Sequence, residues 1–376
     1  MKERTIAVHA GLLHQTPSVS PDIVLSTTFR YRSEEISSNR YIYTRANNPN
    51  RQALETALAK LEGGSIAFAF ASGMAAISAM IQTLEPSAHI ILSDDVYHGT
   101  RDLIYDIFSN WGITFSSVDT TDVSQVQSAL RDNTRLIWIE TPSNPSLKIA
   151  DIQAIADIAH QASALCVVDN TWATPIFQHP LALGADIVMH STTKYIGGHS
   201  DVLGGVLILP EHLKDSVGEK LHTIQHLMGA VPSPFDCWLL LRSLATMPLR
   251  VRQQAQNAEQ IAIFLSTHPQ IERVHYPSLD THPQHHIAQK QMQDGFGGML
   301  SFQVRGGKNV AAQIANNVRL ITQATSLGGV ETLIEHRAMV EGPRSPTPDN
   351  LLRLSVGIED VEDIIADLEQ AIERAK

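Results

Sequence analysis

From about residue 51 to about 230, apolar residues fall alternately into short continuous runs and longer segments with helical spacing. The continuous runs, such as LIWIE at 136–140 and LCVVD at 165–169, lack the polar–apolar alternation of a half-exposed strand. Each therefore reads as a strand covered on both faces. Strands are expected at 66–71, 90–93, 113–118, 136–140, 165–169, 187–190 and 206–209. Helices are expected at 51–61, 73–84, 100–111, about 123–130 and 152–161. Strands alternating with helices predict an α/β fold built on a mostly parallel sheet of the seven-stranded type, with helices on both faces. Such sheets bind ligands beyond the carboxyl ends of their strands.

The pattern differs on either side of this region. Residues 1–50 show no strong periodicity and carry Pro-marked polar stretches such as Thr16-Pro17-Ser18-Val19-Ser20-Pro21, so they read as an extended arm that covers a partner subunit. After Pro232, residues 235 to about 265 predict one long helix or a kinked pair broken at Pro248. Strands at 298–304 and 351–356 and a terminal helix at 361–374 follow without regular alternation, which predicts a smaller α+β unit. The expected division is 1–50 arm, 51–232 α/β domain and 233–376 C-terminal domain.

Composition narrows the classes of function. The 376 residues include 28 basic and 39 acidic side chains, a net charge of −11, and no basic run that could neutralise a phosphate backbone. Nucleic acid is therefore not the expected partner. No apolar stretch nears bilayer-spanning length, and Met1-Lys2-Glu3-Arg4 does not open a signal peptide, so no membrane partner and a cytoplasmic location are expected. Cys166 and Cys237 lie in apolar surroundings without metal-ligand spacing and read as core residues. The group His282, His285 and His286 has poor spacing for ligands on one helix face and reads as a solvated loop before a helix; no metal is expected. Trp111, Trp138 and Trp172 read as core or pocket wall.

Candidate chemistry collects at the strand ends. Ser72-Gly73-Met74 follows the first strand and opens a helix; Tyr97 follows the second through Asp94-Asp95; Asn144 follows LIWIE; Asp169 closes LCVVD. Ser191, Thr193 and Lys194 follow the strand at 187–190, in MHSTTKYIGGHS. Singly, each has an ordinary structural explanation: a cap, a turn or a solvated side chain. In parallel strands, however, all of them share one sheet edge and supply one cleft. The chemistry that needs this set is that of pyridoxal 5'-phosphate. Gly73 and Met74 offer N–H groups at a helix N-terminus to the phosphate, with the hydroxyls of Ser191 and Thr193. Lys194 is the amine for the Schiff base, Asp169 the acid partner of the pyridine nitrogen, and Tyr97 an aromatic stacked on the ring.

The segments YTRANNPN, LEGGSIAFAFASGMAA, ETPSNPS, VVDNTWATP, HSTTKYIGGHSDVLGG, TSLGGVETLIEH and LLRLSVGIED resemble the transsulfuration family of pyridoxal-phosphate enzymes, from about Tyr43 to the C-terminal helix. That resemblance implies the aspartate-aminotransferase-like fold and small-molecule sulfur amino acids as substrates. It places Asn144 beside the ring's phenolic oxygen. By the same resemblance, Tyr43 and Arg45 reach across a subunit interface to the neighbour's phosphate. Arg353 grips the substrate α-carboxylate, with Ser326 close by. The implied assembly is a homo-oligomer, a tetramer built from dimers that share active sites. Lys194 is expected to remove the Cα proton and Tyr97 to assist the exchange of amines.

Several positions depart from the family pattern. Thr325 stands where γ-synthases and γ-lyases often carry an acid, and RAMVEGPRSPTPDN replaces the usual Met-Thr-His segment. Asn47 and Asn50 replace a common glycine and threonine, and Trp172 a common phenylalanine. The first expectation is cystathionine β-lyase, releasing homocysteine, pyruvate and ammonia. The alternatives are γ-replacement or γ-elimination, as in cystathionine γ-synthase and γ-lyase, then a non-catalytic protein that binds the cofactor, with Cα racemisation as a side activity.

Overall fold

The computed structural model describes residues 1–11, 18–31, 41–341 and 347–375. Its centre is a seven-stranded sheet: β1 (Ile66–Phe70), β2 (His89–Ser93), β3 (Thr114–Val118), β4 (Thr134–Glu140), β5 (Leu165–Asp169), β6 (Ile187–His190) and β7 (Gly205–Leu209). They lie in the order β1-β7-β6-β5-β4-β2-β3. Only β7 runs antiparallel to its neighbours; the pairs from β6 through β5, β4 and β2 to β3 are parallel. Apolar runs without alternation form these strands because both faces are covered: Leu136, Ile137, Trp138 and Ile139 are all buried.

Local signals set the strand-to-helix exits. Asn48 caps the helix Pro49–Glu62 by accepting from the Asn50 N–H at 2.9 Å, and the helix ends at Gly63 with φ 73°. Ser72 caps Gly73–Gln82 by accepting from the Ala75 N–H at 3.1 Å, only two residues beyond β1. The loop after β4 is tied to the loop after β2, since Asp95 Oδ2 accepts from Ser143 Oγ at 2.5 Å and from the Ser146 N–H at 3.0 Å.

A second sheet has the order β10-β11-β12-β9-β8, formed by β8 (Ile271–His275), β9 (Met299–Val304), β10 (Thr322–Gln323), β11 (Leu333–His336) and β12 (Leu351–Ser355). The amphipathic helix Val361–Arg374 buries Val361, Ile364, Leu368, Ala371 and Ile372. The segment expected as one helix or a kinked pair forms two helices, Pro234–Leu244 and Met247–Thr267. Pro248 sits in the first turn of the second, where its missing N–H breaks no intrahelical bond.

The expected arm is not wholly extended. Glu3–Val8 is a short helix that buries Ala7, and Glu3 pairs with Arg252. Residues 12–17 and 32–40 of the arm, and 342–346 of the distal segment, lie outside the described residues. The helix expected at 100–111 stops at Asp106, and a 3₁₀ turn, Phe108–Trp111, closes at Gly112 with φ 74°. Two readings are corrected. Trp111 is exposed at that turn rather than in core or pocket wall. His282 is buried, with Nε2 3.0 Å from the Leu147 carbonyl oxygen, and burial lowers its pKa to about 4; the expected solvated loop is packed at this position. Cys166 and Cys237 are buried free thiols. Among the described residues, no helix is long and apolar enough to cross a membrane, and no His/Cys/Asp/Glu group could hold a metal ion.

Candidate active site

The carboxyl ends of β1, β2, β4, β5 and β6 open onto one cavity of about 410 Å³. Its wall contains Gly73, Met74, Tyr97, Asn144, Asp169, Ser191, Thr193, Lys194, Ser326 and Arg353. Ten of the twelve residues expected at the site thus meet in one place. Another cavity, of about 310 Å³ near Arg51 and Gln225, contains none of them.

Lys194 follows β6 on a tight turn, its N–H donating to Ser191 O at 3.1 Å. Its Nζ donates to Ser326 Oγ at 2.8 Å. Burial, and then the positive charge of Arg353, lower its pKa to about 8. Ser326 itself has φ 83°, a left-handed conformation that strains a residue with a side chain. It is pinned on both sides: its hydroxyl meets Lys194, and its carbonyl accepts from Arg353 Nη2 at 3.0 Å.

Asp169 lies at the end of β5, in register with Glu140 of β4. Its Oδ1 accepts from Thr171 Oγ1 at 2.5 Å and from the Thr171 N–H at 3.0 Å. Burial pushes the Asp169 carboxyl up, while Thr171 and the nearby His190 pull it down. Glu140 is held well above the usual carboxylate range by burial and then by the charge of Asp169. Thr171 favours the ionised form of Asp169, so the proton of this pair rests on Glu140. Glu140 Oε2 also accepts from the Tyr97 N–H at 2.8 Å, fixing the residue whose ring lines the cavity.

The other wall fits an anion. The first N–H groups of helix Gly73–Gln82 have no intrahelical acceptor, and Gly73 and Met74 border the cavity. A Cβ at Gly73 would stand 3.1 Å from Ser191 Cβ and Oγ, so glycine keeps this corner open. Thr193 Oγ1 accepts from the Gly204 N–H at 3.0 Å. Gly99 admits the Tyr97 ring, because a Cβ there would lie 2.5 Å from Tyr97 Cε1. An amine of lowered pKa, a buried carboxylate and this anion corner, in one cavity, fit an aldehyde that carries a ring nitrogen and a phosphate.

Arg353 projects from β12 and is buried. Its Nη1 donates to Asn144 Oδ1 at 2.9 Å, and it forms an ion pair with Glu335 of β11. Burial lowers its pKa to about 10. Tyr43 and Arg45 lie outside this cavity: the Arg45 guanidinium stands 5.5 Å from the Tyr43 ring centroid, and its Nη1 donates to His226 O at 2.5 Å.

Four functional neighbours were missed in the sequence: Glu140, Thr171, Glu335 and Arg337. Glu140 had a usable signal, since it closes LIWIE as Asp169 closes LCVVD. Thr171 lies two residues beyond Asp169 in DNTW, the spacing of a local side-chain bond. Glu335 and Arg337 depend on pairing with β12, which no local pattern discloses.

Residues 4–373 match the family described as Cys/Met metabolism PLP-dependent enzyme. The chain is 45% identical over 376 residues to a protein named cystathionine gamma-synthase from Mycobacterium tuberculosis (strain ATCC 25618 / H37Rv), covering 98% of this chain and 96% of that relative. It is 42% identical over 383 residues to one named cystathionine beta-lyase from Coxiella burnetii (strain RSA 493 / Nine Mile phase I), covering 98% and 97%. The fold matches the crystal structure of cystathionine gamma-lyase from Lactobacillus plantarum complexed with L-serine, with a TM-score of 0.95 and 40% identity over 100% of this chain and 99% of that one.

Proposed function

The chain belongs to the family of Cys/Met metabolism PLP-dependent enzymes, and from that premise we propose that it cleaves cystathionine on the β side. Cystathionine and water would yield homocysteine, pyruvate and ammonia. The observation that carries the reading is the meeting of Lys194, Asp169 and Arg353 in one cavity. What favours the β side is the uncharged Thr325 on the cavity wall and the absence of a Met-Thr-His segment.

Gly73, Met74, Ser191 and Thr193 would hold the cofactor's phosphate, Asp169 its ring nitrogen, Tyr97 and Asn144 its ring, and Lys194 its aldehyde carbon. When bound, pyridoxal phosphate supplies a sink for the electron pair left at the substrate Cα. Arg353 orients the substrate by its α-carboxylate. Lys194 Nζ takes the Cα proton; an amine with its pKa lowered to about 8 is in part unprotonated near neutral pH. Ser326 Oγ steadies that amine between transfers. Thr171 keeps Asp169 ionised, and Glu140 stores the proton that the pair retains.

Tyr43 and Arg45, outside the cavity of their own chain, fit the reading that they serve the phosphate of a neighbouring subunit in a homotetramer built from dimers that share active sites. The arm, α/β and C-terminal divisions at 1–50, 51–232 and 233–376 belong to the same reading. A second reading, γ-elimination or γ-replacement, is favoured by the names of relatives at similar identity. Product analysis separates the two. Homocysteine and pyruvate from cystathionine support β-cleavage; cysteine and 2-oxobutanoate, or cystathionine made from cysteine and an activated homoserine, replace it with the γ reading. Lys194→Ala should fold, lose activity and lose the visible absorbance of the bound cofactor. Retention of both would remove Lys194 from its role.

A further inference from the structure

The cavity holds a second buried guanidinium that the chemistry above does not use. Arg337 lies directly after β11, two residues beyond Glu335, and both line or adjoin the end of the cavity where Arg353 sits. Glu335 pairs in register with Arg353 across β11 and β12. Arg337 opens the helix Arg337–Glu341 that follows β11, and it meets Glu335 Oε1 while Arg353 meets Oε2, so the two guanidiniums stand on opposite sides of one carboxylate.

The bonds of Arg337 leave one position open. Its Nε donates to Glu341 Oε1 at 2.8 Å, and its Nη1 approaches Glu335 Oε1 at 3.4 Å. Nη2 is buried and has no hydrogen-bond partner among the described residues. Buried polar groups are nearly always paired, and an unpaired charged one is costly. The same guanidinium lines the cavity that receives the substrate. Thr325 and Val340, which line the same cavity, carry no charge, and Glu140, the acid on that wall within reach of the Arg337 charge, makes no hydrogen bond to it. The missing acceptor therefore arrives with a ligand. Guanidinium chemistry selects a planar oxyanion, and with the Glu335 carboxylate standing between Arg337 and Arg353 that oxyanion is a second one, at the far end of the side chain whose α-carboxylate Arg353 holds.

We propose that Arg337 takes the second carboxylate of the substrate, so that this site selects amino acids with an acidic far end. The inference rests on the reading that Arg353 grips the α-carboxylate. A purely structural role, in which Arg337 only bridges Glu335 and Glu341, predicts no such selection. The positive charge of Arg337 also lowers the pKa of Lys194 and of Arg353, which places it in electrostatic reach of both.

The test is calorimetric titration of the holoenzyme with two amino acids that lack a leaving group, α-aminosuberate and α-aminooctanoate. They have chains of equal length and differ only in the terminal carboxylate. The wild type should bind the suberate more tightly. Arg337→Gln should shrink the ratio of the two dissociation constants by roughly 10- to 100-fold, the worth of one charged hydrogen bond, and Arg337→Lys should restore part of it. Equal binding of the two by the wild type, or a parallel loss of both in Arg337→Gln, overturns the proposal. If the ratio behaves as stated but no sulfur amino acid is cleaved or joined, it is the proposed reaction that fails, and Arg337 keeps its role.

Discussion

Replacing Asp169 with asparagine removes one charge from a buried pair while keeping the shape and the oxygen that accepts from Thr171. Asp169 and Glu140 are register partners on adjacent parallel strands. Neighbouring strands lie about 4.8 Å apart, and two like charges at that distance repel by about 3 kcal/mol at an effective dielectric constant of about 20. The wild type avoids this by keeping a proton on Glu140, whose carboxyl is pushed well up. The folded state thus holds a proton that the unfolded chain has released, so stability falls as pH rises from roughly pH 4 toward the raised value. Asp169→Asn should flatten that decline and stabilise the cofactor-free protein increasingly with pH, up to the ceiling of about 3 kcal/mol. Urea unfolding between about pH 6 and pH 9 measures it, with Glu140→Gln and the double variant completing a cycle. Both single changes relieve the same repulsion, so their effects should not add. Additive effects with an unaltered pH slope would show that the two carboxyls do not interact, and the assignment of the proton to Glu140 would fall. Activity should be lost in Asp169→Asn even as stability rises.

Glu335→Gln should destabilise the fold by about 3–5 kcal/mol, because it leaves the buried guanidiniums of Arg353 and Arg337 without their shared carboxylate; urea unfolding that shows less than about 1 kcal/mol would refute this. Ser326→Gly should be more stable than Ser326→Ala by about 1 kcal/mol, since only glycine adopts φ 83° freely, and equal stability would deny the strain. In cofactor-free protein, trapping of Lys194 with an aldehyde and borohydride should rise with pH with a midpoint near 8, where half of its amines have lost their proton. A midpoint near the ordinary lysine value of roughly 10.4 would contradict the effect of burial and Arg353.

The strand ends were legible because uninterrupted apolar runs such as LCVVD stop abruptly at a polar residue. Parallel pairing then carries Gly73, Tyr97, Asn144, Asp169 and Lys194 to one edge. Strands β8 and β11 were not legible. Ile271–His275 mixes charged with apolar residues, and Leu333–His336 is too short for a period to show. Arg337 escaped notice for a related reason. Its meaning comes from Glu335 and Arg353, and the register that joins those two is a property of the sheet rather than of either segment. His282 illustrates the limit of composition, since a histidine-rich, polar-looking stretch is anchored to Leu147 by one buried ring.

Lys194 follows a strand of the first sheet, whereas Arg353 belongs to the second, and Asn144 and Ser326 are the clasps between them. The basicity of the amine, set first by burial, therefore also registers the charges that the second sheet brings to it. Any swing that carried β12 outward would unload Lys194 from its cationic neighbour and let it reclaim a proton.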